Sequence, residues 1–364
     1  MIKRILYTLL IMFPVVASAQ INTDRVMAIG RNALYFEDYV LSIQYFNQVI
    51  NAKPYLSDPY FYRGLAKINL DDFQGAESDC SEAIERNPFV VSAYQVRGLA
   101  RIQQNNFAGA IEDYTKALEF DPENIGVWHN MALCRIRQED YKGAKNDLDK
   151  LIAISPRYTK AYLMRGEVDL KQKDTLAAEK DFGKAIEIDR YDADTWASRA
   201  ILRLQQQRYK DAEADFDHAI RLSTRNSGVY INRALARYHQ NNLRGAMSDY
   251  DIALDIDPNN FIGHYNRGLL RAQVGDDNRA IQDFNFVIEM EPDNMMAIFN
   301  RGLLLDQTGD YKGAIKDYST VINEYPNFLL GYQYRAQARR KIGDVKGADA
   351  DEFKVLKAQL DKQN

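Results

Sequence analysis

Small residues recur every 34 positions along this chain, and nothing else about it constrains the fold so tightly. Gly64, Gly98, Ala132, Gly166, Ala200, Ala234, Gly268, Gly302 and Ala336 mark one phase. Ala76, Ala110, Ala144, Ala178, Ala212, Ala246, Ala280, Ala314 and Ala348 mark a second, with no insertion between copies. Gly30 and Ser42 occupy the same two phases in a weaker first copy. A catalytic site needs unlike groups placed once. Repetition describes a surface built by stacking, because one supersecondary unit cannot bury its own apolar face and a row of them can. The copies fall near residues 23–56, 57–90, 91–124, 125–158, 159–192, 193–226, 227–260, 261–294, 295–328 and 329–362.

Each copy reads as helix, turn, helix, turn. In the second copy the first helix spans about 59–69, "LDDFQG" carries the turn, and the second helix runs to Arg86. Asn87-Pro88 stops it, because proline cannot continue a helix and biases the residue before it away from helix. Pro54, Pro122, Pro156, Pro258, Pro292 and Pro326 repeat that stop. The copies ending near Arg190 and Thr224 lack it, and "LSTRNSGVY" follows the second. That stretch is a flexible joint or a variant cap; the unbroken period favours the cap. The Gly and Ala phases let two helix axes approach closely. Aromatics fill the space beside them, among them Tyr94, Trp128 and Trp196 on first helices and Tyr114, Phe216 and Tyr318 on second helices.

The period, the aromatic at repeat position 4, the small residue at 8, Ala at 20, the aromatic at 24 and Pro at 32 resemble the tetratricopeptide repeat (TPR) family. The likeness covers essentially the whole chain after its first twenty residues. The Arg-Gly/Ala pair in the first helices resembles that of exported bacterial members. The resemblance implies an all-α fold, an α-solenoid of about ten helix-turn-helix units wound as a right-handed superhelix. It further implies that first helices line a concave groove for extended peptides or partner helices.

The first residues follow another rule. Lys3 and Arg4 precede an apolar stretch from Ile5 to Val16 and then Ala17-Ser18-Ala19. This is the order of a secretory signal peptide, with cleavage expected after Ala19. It predicts a signal at 1–19, an array at 20–364, no membrane span in the mature chain, and export to the periplasm, the cell envelope or the medium. The formal net charge of −4 leaves no basic footprint for nucleic acid. An oxidising compartment would permit a disulfide, but Cys80 and Cys134 fall on different helices two repeats apart. Neighbouring helix axes are already about 8–10 Å apart, and a disulfide needs Cα atoms within about 7 Å. Two separate buried thiols are expected.

A search for chemistry finds little. P-loop, G-x-S-x-G, H-E-x-x-H and C-x-x-C patterns do not occur in the sequence. The four histidines take four different repeat positions, so the repeat does not gather them. No nucleophile has a candidate base. The expectation is a protein that is not an enzyme, with no cofactor and no metal.

Two recurring features remain. Where the family usually places Leu before the small residue, this chain writes Arg63, Arg97, Arg165, Arg199, Arg233, Arg267, Arg301 and Arg335. Sixteen residues later stand Asp79, Asp113, Asp181, Asp215, Asp249, Asp283, Asp317 and Asp351, while Met131 keeps Asp147. The arginines could form an anion-binding row. Their fixed joint recurrence instead favours pairs such as Arg97–Asp113 and Arg267–Asp283, tying two helices of a repeat or a repeat to its neighbour.

The second feature is the groove face. Mapped by the TPR resemblance, the early copies present Phe61, Leu65 and Ile68, then Gln95, Leu99 and Ile102, then His129, Leu133 and Ile136, with Asn130 beside them. These residues would either receive apolar anchors of a partner or pack within the array. Asn232, Asn266 and Asn300 share position 6 in three successive copies. Amides both donate and accept, so such a row can hold a peptide backbone without reading its side chains. It is similar to the asparagine ladder of the TPR superhelix in O-linked N-acetylglucosamine transferases, although Asn is also a common TPR residue here. The Lys, Asn and Arg set of carboxylate-clamp TPR domains is incomplete. The expected function is a scaffold binding a protein or peptide; the alternative is an accessory, substrate-recruiting module of a larger envelope enzyme or assembly. The charged end "DADEFKVLKAQLDKQN" reads as a solubilising cap or as the start of further sequence.

Overall fold

A computed structural model describes residues 22–360, which form twenty α-helices and no strand. The expected signal at 1–19 lies outside the described residues. The chain divides into two compact bodies between Asp174 and Thr175. The N-terminal body contains α1 (Thr23–Tyr35), α2 (Tyr39–Ala52), α3 (Asp58–Ile68), α4 (Phe73–Arg86), α5 (Val91–Gln103), α6 (Phe107–Phe120), α7 (Ile125–Arg137), α8 (Tyr141–Ile154) and α9 (Thr159–Lys171). The C-terminal body contains α10 (Thr175–Ile188), α11 (Ala193–Gln205), α12 (Tyr209–Leu222), α13 (Ser227–His239), α14 (Leu243–Ile256), α15 (Phe261–Gln273), α16 (Asp277–Met290), α17 (Met295–Thr308), α18 (Tyr311–Glu324), α19 (Leu329–Lys341) and α20 (Val345–Leu360). The division falls between the two helices of the fifth copy. Among the described residues, no helix is long and apolar enough to cross a membrane.

Odd-numbered helices are first helices, and each packs on the even-numbered helix that follows it within its body. The turn between them needs a left-handed residue. Glu37, Asp71, Asn105, Glu139, Lys173, Gln207 and Asn241 supply it with φ between 58° and 65°, and Gly275, Gly309 and Gly343 supply it in the last three copies. The next residue caps the second helix in most copies. Asp72 accepts from the Gly75 amide at 2.9 Å, and Asn242 from the Gly245 amide at 3.0 Å. Each cap satisfies a helix-end N–H that has no partner within the helix.

The small phases are packing requirements. A Cβ on Gly98 would stand 2.8 Å from the Tyr114 ring, and one on Gly302 would stand 2.9 Å from Tyr318. The second-phase alanines Ala110, Ala212 and Ala280 are fully buried, as are Phe46, Phe182, Phe216 and Phe284. The core thus runs as successive clusters through each body. The all-α array of helix-turn-helix units predicted from the period is the fold observed. Cys80 and Cys134 are free and buried.

Candidate functional site

The recurring arginine reaches three ways. Arg233 donates from Nε and Nη2 to the two oxygens of Asp249 at 3.0 and 2.6 Å, which joins α13 to α14. Its Nη1 donates to Asp217 of the preceding copy at 2.6 Å. Arg97 bonds Asp113 at 2.6–3.1 Å and reaches back to the Ser81 hydroxyl at 3.1 Å. Arg267 bonds Asp283 at 3.1 and 2.7 Å and Asp251 at 2.8 Å. Each of these three guanidinium groups therefore ties its own helix pair and the preceding copy together. The ring at position 4 lies beneath it: Arg97 stands 5.7 Å from the Tyr94 centroid and Arg233 5.4 Å from Tyr230. Burial works against the Arg97 charge, but the Asp113 hydrogen bonds and charge outweigh it and raise the guanidinium pKa.

A second basic row, absent from the sequence reading, completes the arrangement. Arg101, Arg237 and Arg271 sit one turn further along the first helix and bond the same Asp113, Asp249 and Asp283 at 2.8–3.0 Å. Arg101 and Arg237 also reach Glu77 and Glu213 of the preceding copy. These residues recur every 34 positions with Lys67, Arg135, Arg203 and Arg339, so the same alignment carries their signal. At the boundary of the fourth and fifth copies the charges are exchanged: Lys145 on α8 pairs with the buried Asp169 on α9. Arg165 bonds Asp149 within the N-terminal body, and Asp181 lies in the C-terminal body. These arginines are half-buried and each is bonded to at least one carboxylate, which ties helices together.

The proposed groove residues separate into two sets. Phe61, Leu65, Gln95, Leu99, His129 and Asn130 lie in the N-terminal body; Asn232, Asn266 and Asn300 lie in the C-terminal body. In the first set only Leu99 is well exposed, at 38%. Phe61 packs on the cluster around Tyr60 and Cys80. Ile102 and Ile136, predicted on the same face, pack on core clusters instead. His129 meets the Tyr158 hydroxyl at 3.4 Å, and burial followed by the Lys160 charge lowers its pKa.

The three asparagines of the second set are all half-buried. Asn300 donates to the Tyr265 hydroxyl at 3.1 Å, linking α17 to α15 and leaving its carbonyl as an acceptor. Asn232 and Asn266 make no side-chain hydrogen bond with the described residues. Beside them Leu269 is 40% exposed. A cavity of about 350 Å³ opens at the start of α17, lined by Met295, Met296, Phe299, Val321, Tyr325 and Phe328. Met296 is 59% exposed at its mouth. Sequence reading passed over these residues, because they come from both helices of one copy and the loop after them. Their chemistry is that of a largely apolar socket on α17, the helix that carries Asn300.

The two thiols do not offer nucleophiles. Burial pushes Cys80 up to about 12 and Cys134 up to about 11, so neither forms a thiolate at neutral pH.

An array of paired helices defines a repeat scaffold. The "TPR repeat" profile matches residues 98–134, and "Tetratricopeptide repeat" profiles match 125–158, 159–192, 198–261 and 265–327. These matches span more than half of the chain, which belongs to the tetratricopeptide repeat family. It is similar in fold to a tetratricopeptide repeat protein from Parabacteroides merdae, at 21% identity over 68% of this chain and 98% of that one, with a TM-score of 0.52. It is similar to the C-terminal part of a TPR repeat-containing protein from Cytophaga hutchinsonii, at 17% identity over 65% and 97%, with a TM-score of 0.54. PilF of Pseudomonas aeruginosa aligns at 19% identity over 60% and 97%, with a TM-score of 0.50. No curated protein matches the chain.

Proposed function

We propose that this chain is an exported, non-catalytic scaffold that holds an extended peptide segment of a partner protein. The observations that support the reading are Asn232, Asn266 and Asn300 at one position of three successive first helices, and the socket that Met296 and Phe299 line on α17, the helix that carries Asn300. Spaced amides would bind the partner's backbone, while the socket would take one apolar side chain, giving affinity and register together. Export rests on the basic, apolar and Ala-Ser-Ala order of residues 3–19. The expected mature chain begins at Gln20 and works in the periplasm or cell envelope.

The test starts from residues 20–364 and a random peptide display library. Selected peptides should share one large apolar residue. Changing Asn232, Asn266 and Asn300 together to Ala should weaken them by about tenfold or more, and Met296→Asp should do likewise. Circular dichroism of the variants checks that the helices persist. Unchanged affinity in both folded variants would sink the reading. Binding to a glycan array with no peptide selected would favour the accessory-module alternative.

A further inference from the structure

Two departures from the repeat meet in one place. Position 32 is Pro in seven copies but Arg190 in the fifth. Position 29 is acidic in Glu85, Glu119, Glu187, Asp255 and Glu289 but is Arg221 in the sixth. Both arginines line a cleft of about 500 Å³ in the C-terminal body, together with Tyr191, His218, Leu222 and Ile186. It lies between the ends of α10 and α12 and is built from residues outside the asparagine row.

Most first-row arginines of this body are bound to carboxylates. Arg190 and Arg221 have no ion-pair partner among the described residues. Glu187 also lines the cleft, but Lys184 holds it at 3.0 Å. Asp189 accepts from the Tyr191 amide at 2.9 Å, and the Arg190 carbonyl accepts from the Trp196 indole at 3.0 Å, so the turn carrying both residues is fixed. Arg199 covers one face of Trp196 at 5.1 Å, and His218 stacks on that ring at 4.2 Å and 12°. The stack ends at His218, which is exposed, and Tyr191 stands 75% exposed at the cleft.

We propose that this cleft binds an aromatic carboxylate, as presented by a peptide whose C-terminal residue is Phe or Tyr. The carboxylate would sit between Arg190 and Arg221, whose planar forks match its two oxygens. The ring would extend the His218–Trp196 stack, with Leu222 and Ile186 as its apolar wall. A bare anion would leave that platform unused, and a neutral ring would leave two guanidinium groups unpaired.

Isothermal titration with acetyl-Gly-Gly-Phe as the free acid tests the proposal, with its C-terminal amide and phenyl phosphate as the comparison ligands. The acid should bind and the amide should bind about tenfold or more weakly. The double variant Arg190→Pro, Arg221→Glu should lose the acid to the same degree. It restores residue types found at these positions in other copies, and the Arg190 amide donates no hydrogen bond that proline would remove. His218→Ala should weaken the acid while sparing its preference over the amide. The proposal is overturned if acid and amide bind equally, if the folded double variant binds as the parent does, if phenyl phosphate is preferred, or if the acid fails to bind at millimolar concentration.

Discussion

The fourth and eighth copies hold the same buried aspartate in opposite circumstances. In the eighth, Asp283 accepts from Arg267 through two nitrogens, from Arg271 at 2.8 Å, and faces His264 Nδ1 at 3.0 Å. Burial raises its pKa, but the His264 and Arg267 hydrogen bonds and the arginine charges outweigh it and hold it below the usual carboxylate range. In the fourth, Met131 replaces the forked arginine and packs into the cluster around Tyr94 and Tyr114. Among the described residues Asp147 pairs only with Arg135, whose Nε stands 2.7 Å from Oδ2 without hydrogen-bond alignment. Burial therefore dominates, Arg135 offsets part of it, and the Asp147 pKa rises to about 6. A buried carboxylate stabilises this fold only when its partners replace the water it has lost.

One substitution should separate the two cases. Asp283→Asn leaves Arg267 and Arg271 half-buried without their shared anion, and should cost about 3–5 kcal/mol locally at neutral pH. Because the folded-state pKa is depressed, the stability at stake is present above the unfolded carboxylate pKa and fades as acid protonates the folded protein. Amide hydrogen exchange in α15 and α16 reads the effect copy by copy, which suits an array whose stability sums over neighbours. Unchanged protection would show that the lattice contributes nothing there.

Asp147→Asn should act with the opposite sign. A raised folded-state pKa means a penalty that is absent below about pH 4, grows as pH rises, and is complete above about pH 6. Removing the charge should then stabilise α7 and α8 at neutral pH by up to roughly 3 kcal/mol, and should change little near pH 4. Exchange measured at both pH values decides it; destabilisation at neutral pH would mean that Arg135 already balances the charge.

The period made much of this legible. Gly98 and Gly302 announce helices packed against an aromatic, and the joint recurrence of Arg97 with Asp113 or Arg267 with Asp283 announces a structural pair. The groove was less legible, because exposure of a first-helix residue depends on what the adjacent copy places beside it. Leu99 stays open while Ile102, three residues on, packs on the Tyr114 cluster. The socket at Met296 joins residues from two helices and a loop, which no single-helix pattern displays. The left-handed turn was invisible in most copies, since Glu37, Asn105, Lys173 and Gln207 share no composition signature. Packing of the helix pair imposes that backbone.

The same two copies sharpen this last point with the smallest expected effect. The fourth turns at Glu139 with φ 60°, and the eighth at Gly275 with φ 81°. A side chain pays about 1 kcal/mol in the left-handed region, whereas glycine enters it freely but loses more chain entropy on folding. A Cβ at Gly275 would meet no atom within 4 Å, so Gly275→Ala isolates the backbone term from any clash. It should destabilise α15 and α16 by about 1 kcal/mol. Glu139→Gly should stabilise α7 and α8 by less, because relief of the left-handed strain is partly cancelled by the freer unfolded chain. Exchange protection that falls in the first variant and rises modestly in the second would place the strain in the turn. Equal and opposite changes would instead mean that unfolded-state entropy is negligible, and no change at Gly275 would mean that the turn can relax out of the left-handed region at no cost.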